Sequence, residues 1–156
     1  MPTITKKHST AKRKTRICAL DKAPHSMSEH HHQVALFQWA SRSEGRYPEL
    51  AAMFAIANGG ARSKAAAGKL KAEGVRAGIP DICLPLRTNR YGALYIELKA
   101  PAENGKPAGR VSVAQRKMIA QLTDLGNCVR VAYGWEDAME EILVYLAEYP
   151  AGRKVG

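Results

Sequence analysis

Two runs of strict two-residue alternation, separated by one short polar turn, constrain this chain more than any other feature. In Asp81-Ile82-Cys83-Leu84-Pro85-Leu86 the apolar side is Ile82, Leu84 and Leu86, and the other side is Asp81, Cys83 and Pro85. In Leu94-Tyr95-Ile96-Glu97-Leu98-Lys99 the apolar side is Leu94, Ile96 and Leu98, against Tyr95, Glu97 and Lys99. A period of two belongs to extended strands, whose successive side chains point to opposite faces. The polar segment Arg87–Gly92 has the length of a hairpin connection. The two strands therefore pair antiparallel, and Glu97 and Lys99 share a face with one another.

Around this hairpin the patterning alternates between helix and strand. Ser28 is a good N-cap for a helix from Glu29 to about Ser43, with Val34, Phe37 and Ala40 as its apolar stripe and Leu36 and Trp39 flanking it. Gly45 and Pro48 end it. Leu50–Ala57 reads as a short helix leading into a strand near Phe54–Ala57, bounded by Asn58-Gly59-Gly60. The Ala- and Lys-rich stretch Arg62–Lys71 reads as helical or partly helical, and Gly74 and Gly78 turn the chain before Pro80. Pro101–Gly109 is a loop, Ser112 caps a helix over Val113–Leu125 that Gly126 closes, Cys128–Tyr133 is a last strand and Trp135–Ala147 a last helix. That order specifies an α/β domain, a central mixed sheet flanked by helices.

Residues 1–27 differ in kind. They carry Lys6, Lys7, Lys12, Arg13, Lys14, Arg16 and Lys22 against Asp21 alone, with low hydrophobicity and no period. They read as a basic, disordered arm, leaving a domain over 28–150 and a tail over 151–156. Met27 reads as a candidate alternative start. The formal net charge of the chain is +10, which favours a polyanionic partner such as nucleic acid. Within the domain the charge is segregated. Gly59–Pro80 holds Arg62, Lys64, Lys69, Lys71 and Arg76 against Glu73, whereas Trp135–Pro150 holds five acids and no Lys or Arg. Arg62, Lys64 and Lys69 read equally as a phosphate cradle or as a solvated face.

Several classes are excluded or disfavoured. No apolar run reaches the roughly 18–20 residues that cross a bilayer, and no Walker-type Gly loop is present. The N-terminus has no apolar stretch of the secretory type. Cys18, Cys83 and Cys128 are too few and too scattered for a disulfide framework or a CxxC metal site. Cys83 and Cys128 read as core residues, as do Trp39 and Trp135. A reducing, cytoplasmic setting is expected. Adjacent His30, His31 and His32 point about 100° apart on a helix and cannot all grip one ion; they read as a polar helix start near a cleft.

Chemistry concentrates where the hairpin brings Asp81 alongside Glu97 and Lys99. Two carboxylates about 5 Å apart repel by roughly 3 kcal/mol at an effective dielectric of about 20. A lysine offsets part of that repulsion, and a hard divalent cation with oxygen ligands offsets more. A surface Glu97–Lys99 ion pair is the plain alternative.

Gly78-Ile79-Pro80-Asp81, a gap of fifteen residues, then Glu97-Leu98-Lys99 resembles the PD-(D/E)xK nuclease signature. Ser28-Glu29 with Gln33, Asn58-Gly59-Gly60, the basic stretch to Pro80-Asp81 and Ser112-x-x-Gln115 make the resemblance narrower. Together, in this order, they resemble the VRR-NUC (virus-type replication-repair nuclease) family over roughly 28–145, which implies a restriction-endonuclease-like core. The resemblance implies that Asp81 and Glu97, with the backbone carbonyl of Leu98, bind Mg²⁺ or Mn²⁺, and that Lys99 orients or deprotonates water and stabilises charge on the phosphate. Glu29 would add a carboxylate, although the helix dipole alone favours an acid there. Gln33, one turn on, and Gln115 would order the site or touch DNA; Gln115 also reads as a plain cap.

These features lead to an expected Mg²⁺- or Mn²⁺-dependent DNA endonuclease, selective for branched DNA such as four-way junctions. The family resemblance adds a homodimer, since stand-alone members are thought to pair two sites for paired cuts. A non-catalytic nucleic-acid-binding module with the same fold is the rival reading. A structural accessory protein that uses the arm as glue is the second rival.

Overall fold

The computed structural model describes residues 27–57, 64–103 and 105–149. Most of the arm (1–26), the Asn58-Gly59-Gly60 turn, Arg62 and the tail lie outside the described residues. The elements are α1 (Glu29–Ser43), a 3-10 turn (Pro48–Ala52), β1 (Phe54–Ala55), α2 (Lys64–Ala72), β2 (Ile82–Leu84), β3 (Leu94–Lys99), α3 (Val113–Asp124), β4 (Cys128–Tyr133) and α4 (Trp135–Ala147).

The four strands form one mixed sheet in the order β1-β2-β3-β4. β1 and β2, and β2 and β3, pair antiparallel, while β3 and β4 pair parallel. Parallel neighbours need a crossover, which α3 supplies. β2 is shorter than its alternation suggests because Pro85 has no N–H to extend the ladder. The β2–β3 turn is tied by Thr88, whose hydroxyl accepts from the N–H groups of Arg90 and Tyr91 at 3.2 and 3.0 Å.

α1 and α4 pack on one another and against β3, and α4 also against β4. The core they enclose joins Leu36 and Ala40 to Ile82, Leu84, Leu94, Ile96, Leu98, Ala132, Ala138 and Ile142. The buried stripe of α1 is His32, Leu36 and Ala40. The stripe expected through Val34 and Phe37 is rotated, leaving Val34 exposed and Phe37 and Trp39 half-buried against the core. α1 is apolar nearly all round from Val34 to Ala40, so its neighbours select the face and periodicity does not. Cys83 and Cys128 are buried, and Trp135 packs on the core.

α3 packs against β4 and begins with a full capping box. The Ser112 hydroxyl accepts from the Gln115 N–H at 3.2 Å, and the Gln115 side-chain oxygen accepts from the Ser112 N–H at 2.7 Å. α4 has Gly134 at its N-cap, which brings no capping side chain. The His32 ring supplies the missing acceptor: its Nδ1 takes the Trp135 N–H at 3.3 Å. No helix among the described residues is long and apolar enough to cross a membrane.

Candidate active site

β3 positions two of the expected residues. Extending the Ile82–Ile96 pairing by one step sets Asp81 opposite Glu97. The Asp81 carboxylate accepts the Leu98 N–H at 2.9 Å, so the acid is fixed to the strand that carries its partners. Gly78 makes this approach possible. It stands at φ +80°, and an added Cβ would lie 2.5 Å from the Ala114 carbonyl carbon and oxygen and 2.7 Å from the Gln115 nitrogen. Only glycine tolerates both that backbone conformation and that proximity. The loop leading to Asp81 is thereby pressed backbone-to-backbone on the first turn of α3, which brings Gln115 to the same cluster.

The Lys99 ammonium sits among oxygens. It donates to Glu97 Oε1 at 2.5 Å and to the Leu98 carbonyl at 3.0 Å, and it lies 3.6 Å from Glu29 Oε1. Gln115 Nε2 donates to the same Glu97 Oε1. Gln115 therefore serves both readings at once, its oxygen closing the cap and its nitrogen holding Glu97. Glu97 is 0% exposed and Lys99 5%, so the pair is no surface salt bridge. Oε2 of Glu97 is buried and has no hydrogen-bond partner among the described residues.

The electrostatics follow from this burial. Desolvation pushes the Glu97 carboxyl up to about 7; the Lys99 hydrogen bond opposes the shift, and the facing Asp81 charge reinforces it. For Lys99, burial pulls the ammonium down, but its bond to Glu97 and the charges of Glu97, Glu29 and Asp81 outweigh that and leave its pKa above the ordinary lysine value. A buried carboxylate with one satisfied and one orphaned oxygen is costly. A cation that met Oε2 would relieve it.

The donor set suits a hard cation. Among the described residues no three His, Cys, Asp or Glu side chains form a group able to hold a metal ion. Two carboxylates with a strand carbonyl and water are instead what Mg²⁺ takes, since it dehydrates reluctantly and seldom occupies an all-protein cage.

The remaining expected residues are scattered. Gln33 lines a shallow groove on α1 with His30, Val34, Phe37, Gln38 and Ser41, and the described contacts do not tie it to the cluster. Lys69 is exposed on α2 and lies 3.9 Å from Glu73, one turn away. Lys64 starts α2, its side chain outside the described residues, as is all of Arg62. The three histidines separate: His30 and His31 are exposed, whereas His32 is 4% exposed and anchors α1 to the start of α4. Its anchoring role carried no sequence signal, because the acceptor is needed by a helix 103 residues away.

A mixed sheet with one parallel and two antiparallel pairings, helices on it, and an Asp–Glu–Lys cluster at its centre define a restriction-endonuclease-like α/β core. The VRR-NUC domain model matches residues 20–136. The chain belongs to the VRR-NUC family, a family of nuclease type. A solved structure of a VRR_NUC domain protein shares the fold, with a TM-score of 0.66 and 24% identity over 79% of this chain and 91% of that one. No curated protein matches the chain.

Proposed function

We propose that this chain is a divalent-metal-dependent DNA endonuclease that hydrolyses phosphodiesters and favours branched DNA such as four-way junctions. The observation that carries the reading is the cluster of Asp81, the Leu98 carbonyl and Lys99 about a buried Glu97, whose Oε1 takes Lys99 and Gln115 while its Oε2 has no partner among the described residues. Asp81, Glu97 and the Leu98 carbonyl would hold Mg²⁺ or Mn²⁺, which when bound supplies Lewis-acid activation of the phosphate and of water. Lys99, fixed by Glu97 and Glu29, orients the attacking water and meets the charge that builds on the phosphate oxygens. Gln115 keeps Glu97 Oε1 engaged, which would leave Oε2 for the ion. Glu29 holds Lys99 from the helix side or carries a water of the ion.

Substrate capture falls to charge. The arm (1–27) and the Arg62, Lys64 and Lys69 stretch neutralise phosphates, while the acidic α4 faces away from DNA. One domain with one site makes one incision, so paired cuts in a junction call for a homodimer in which the nuclease domains (28–150) are related by a two-fold axis. The working compartment is the cytoplasm.

The test is incubation of full-length protein with end-labelled four-way junction, flap and linear duplex, with Mg²⁺, Mn²⁺ or EDTA. Paired junction cuts that need the metal, and that outpace linear-duplex cutting, are expected. Binding without any cutting, with or without metal, would favour the non-catalytic module.

A further inference from the structure

The segment that joins β3 to α3 leaves the catalytic strand, turns through a bridge between Glu103 and Lys106, and comes back across the site. Its return leg is anchored twice. The Gly109 N–H donates to the Ala100 carbonyl at 2.9 Å, and the Arg116 guanidinium donates to the Val111 carbonyl at 2.7 Å. At Gly109 an added Cβ would stand 3.0 Å from Glu29 Oε1 and 3.1 Å from Lys99 Cδ, so the backbone itself lies on the catalytic side chains.

Arg110 sits between those two anchors. It is exposed, and it has no ion pair or side-chain hydrogen bond among the described residues. Lys69, Arg90 and Arg130 pair with Glu73, Glu148 and Glu141, whereas Arg42, Arg76 and Arg87 are, like Arg110, exposed and without an ion pair among the described residues; what sets Arg110 apart is its place in the chain. A guanidinium with no acid beside it is open to a phosphate, since its planar fork matches two phosphate oxygens. Here it is mounted on backbone that touches Lys99. Exposed Lys106 and Lys117 lie on the same segment and on the first turns of α3, and they too lack an ion pair among the described residues.

We propose that Arg110 grips the nucleic-acid backbone next to the scissile phosphate, making the return leg Lys106–Val111 a strand-positioning strap distinct from the α2 and arm charges. The proposal rests on the nuclease reading of the Glu97 cluster. It concerns positioning: Arg110 sets where the strand lies, and the reacting atoms are left to Lys99 and its neighbours.

The experiment measures binding of fluorescent junction and duplex DNA to full-length protein over a salt series in Ca²⁺, beside steady-state cleavage in Mg²⁺. Arg110→Ala is expected to weaken binding about tenfold at low salt, the size of one charge-assisted contact. It should flatten the log–log salt slope by about 0.9, raise KM and leave kcat within a few-fold. Arg110→Lys keeps the charge and should restore the slope, which a loss of folding would not allow. Arg90→Ala, on a paired cation far along the chain, is the control and should change neither. If wild-type protein binds with a steep salt slope and Arg110→Ala matches it in slope and KM, the strap proposal is overturned and the nuclease reading stands. If wild-type protein shows no salt-dependent binding to any of these DNAs, both are overturned.

Discussion

From Ile96 to Lys99 the two faces of β3 are equally buried and energetically opposite. On one, Leu94, Ile96 and Leu98 are each 1% exposed within the apolar core. On the other, Glu97 at 0% and Lys99 at 5% are as dry, yet they carry charge and an orphaned oxygen. Burial of apolar area stabilises the fold by about 25 cal/mol per Å², whereas burial of an incompletely satisfied carboxylate costs stability. The same strand thus holds the molecule together with every second residue and stores a binding deficit in the others. Burying that polar pair is a local loss of stability that the adjacent core makes tolerable.

That contrast can be broken first by substitution on the polar face. Asp81→Asn, Glu97→Gln and Lys99→Ala should each lower single-turnover cleavage by about a thousandfold or more, the range for loss of an electrostatic or metal-holding group, while DNA binding in Ca²⁺ survives. Asp81→Asn keeps an oxygen for the Leu98 N–H, so its folding stability should stay within about 1 kcal/mol of wild type. On the apolar face the outcome inverts. Ile96→Ala should cost about 2–5 kcal/mol in urea or guanidinium unfolding, with the kcat of the folded fraction unchanged. A core variant that loses kcat at full folding, or a site variant that unfolds, would erase the distinction.

The pH dependence sharpens it. Glu97 in the folded, metal-free protein ionises near 7, above its ordinary value. Between pH 4.5 and 7 the native state therefore holds more of this proton than the unfolded state. By linkage the Glu97 contribution to stability falls as pH rises through that window and is flat on either side. Denaturant midpoints at pH 5 and pH 7.5, compared between wild type and Glu97→Gln, should show this falling component in wild type and its loss in the variant. Equal pH dependence in the two would mean that Glu97 is not strained by burial. The smallest effect is expected at Gln115, where Gln115→Glu preserves the capping acceptor but loses the donor to Glu97. It should unfold within about 1 kcal/mol of wild type and cleave about tenfold more slowly. Unchanged cleavage would reduce Gln115 to a cap.

Much of this was legible in the residues. The alternation over 94–99 placed β3, the Ser28 and Ser112 caps placed the starts of α1 and α3, and the Asp81 and Glu97-Leu98-Lys99 spacing named the acids and base that the fold brings together. The rest depends on tertiary contacts that leave no periodic trace. Alternation gives faces but not what covers them, so it allows a surface Glu97–Lys99 pair equally well, whereas in the fold Gln115 of α3 and the Asp81 loop close on it. The orientation of α1 is hidden because its middle, Gln38 apart, is apolar on nearly every side. Arg110 resembles any other loop cation in sequence; that the neighbouring Gly109 packs on Glu29 and Lys99 is a tertiary contact.

The central claim is that the polar face of β3 is a cation site, and Mn²⁺ binding tests it most directly. Calorimetric titration of the full-length protein at pH 6 and pH 8, with Asp81→Asn alongside, reads the ion without any step of cleavage. Binding in wild type that tightens from pH 6 to pH 8, as Glu97 sheds its proton near 7, and that is lost in Asp81→Asn, is the predicted result. Mn²⁺ binding that ignores both the pH and the Asp81 substitution would contradict the account.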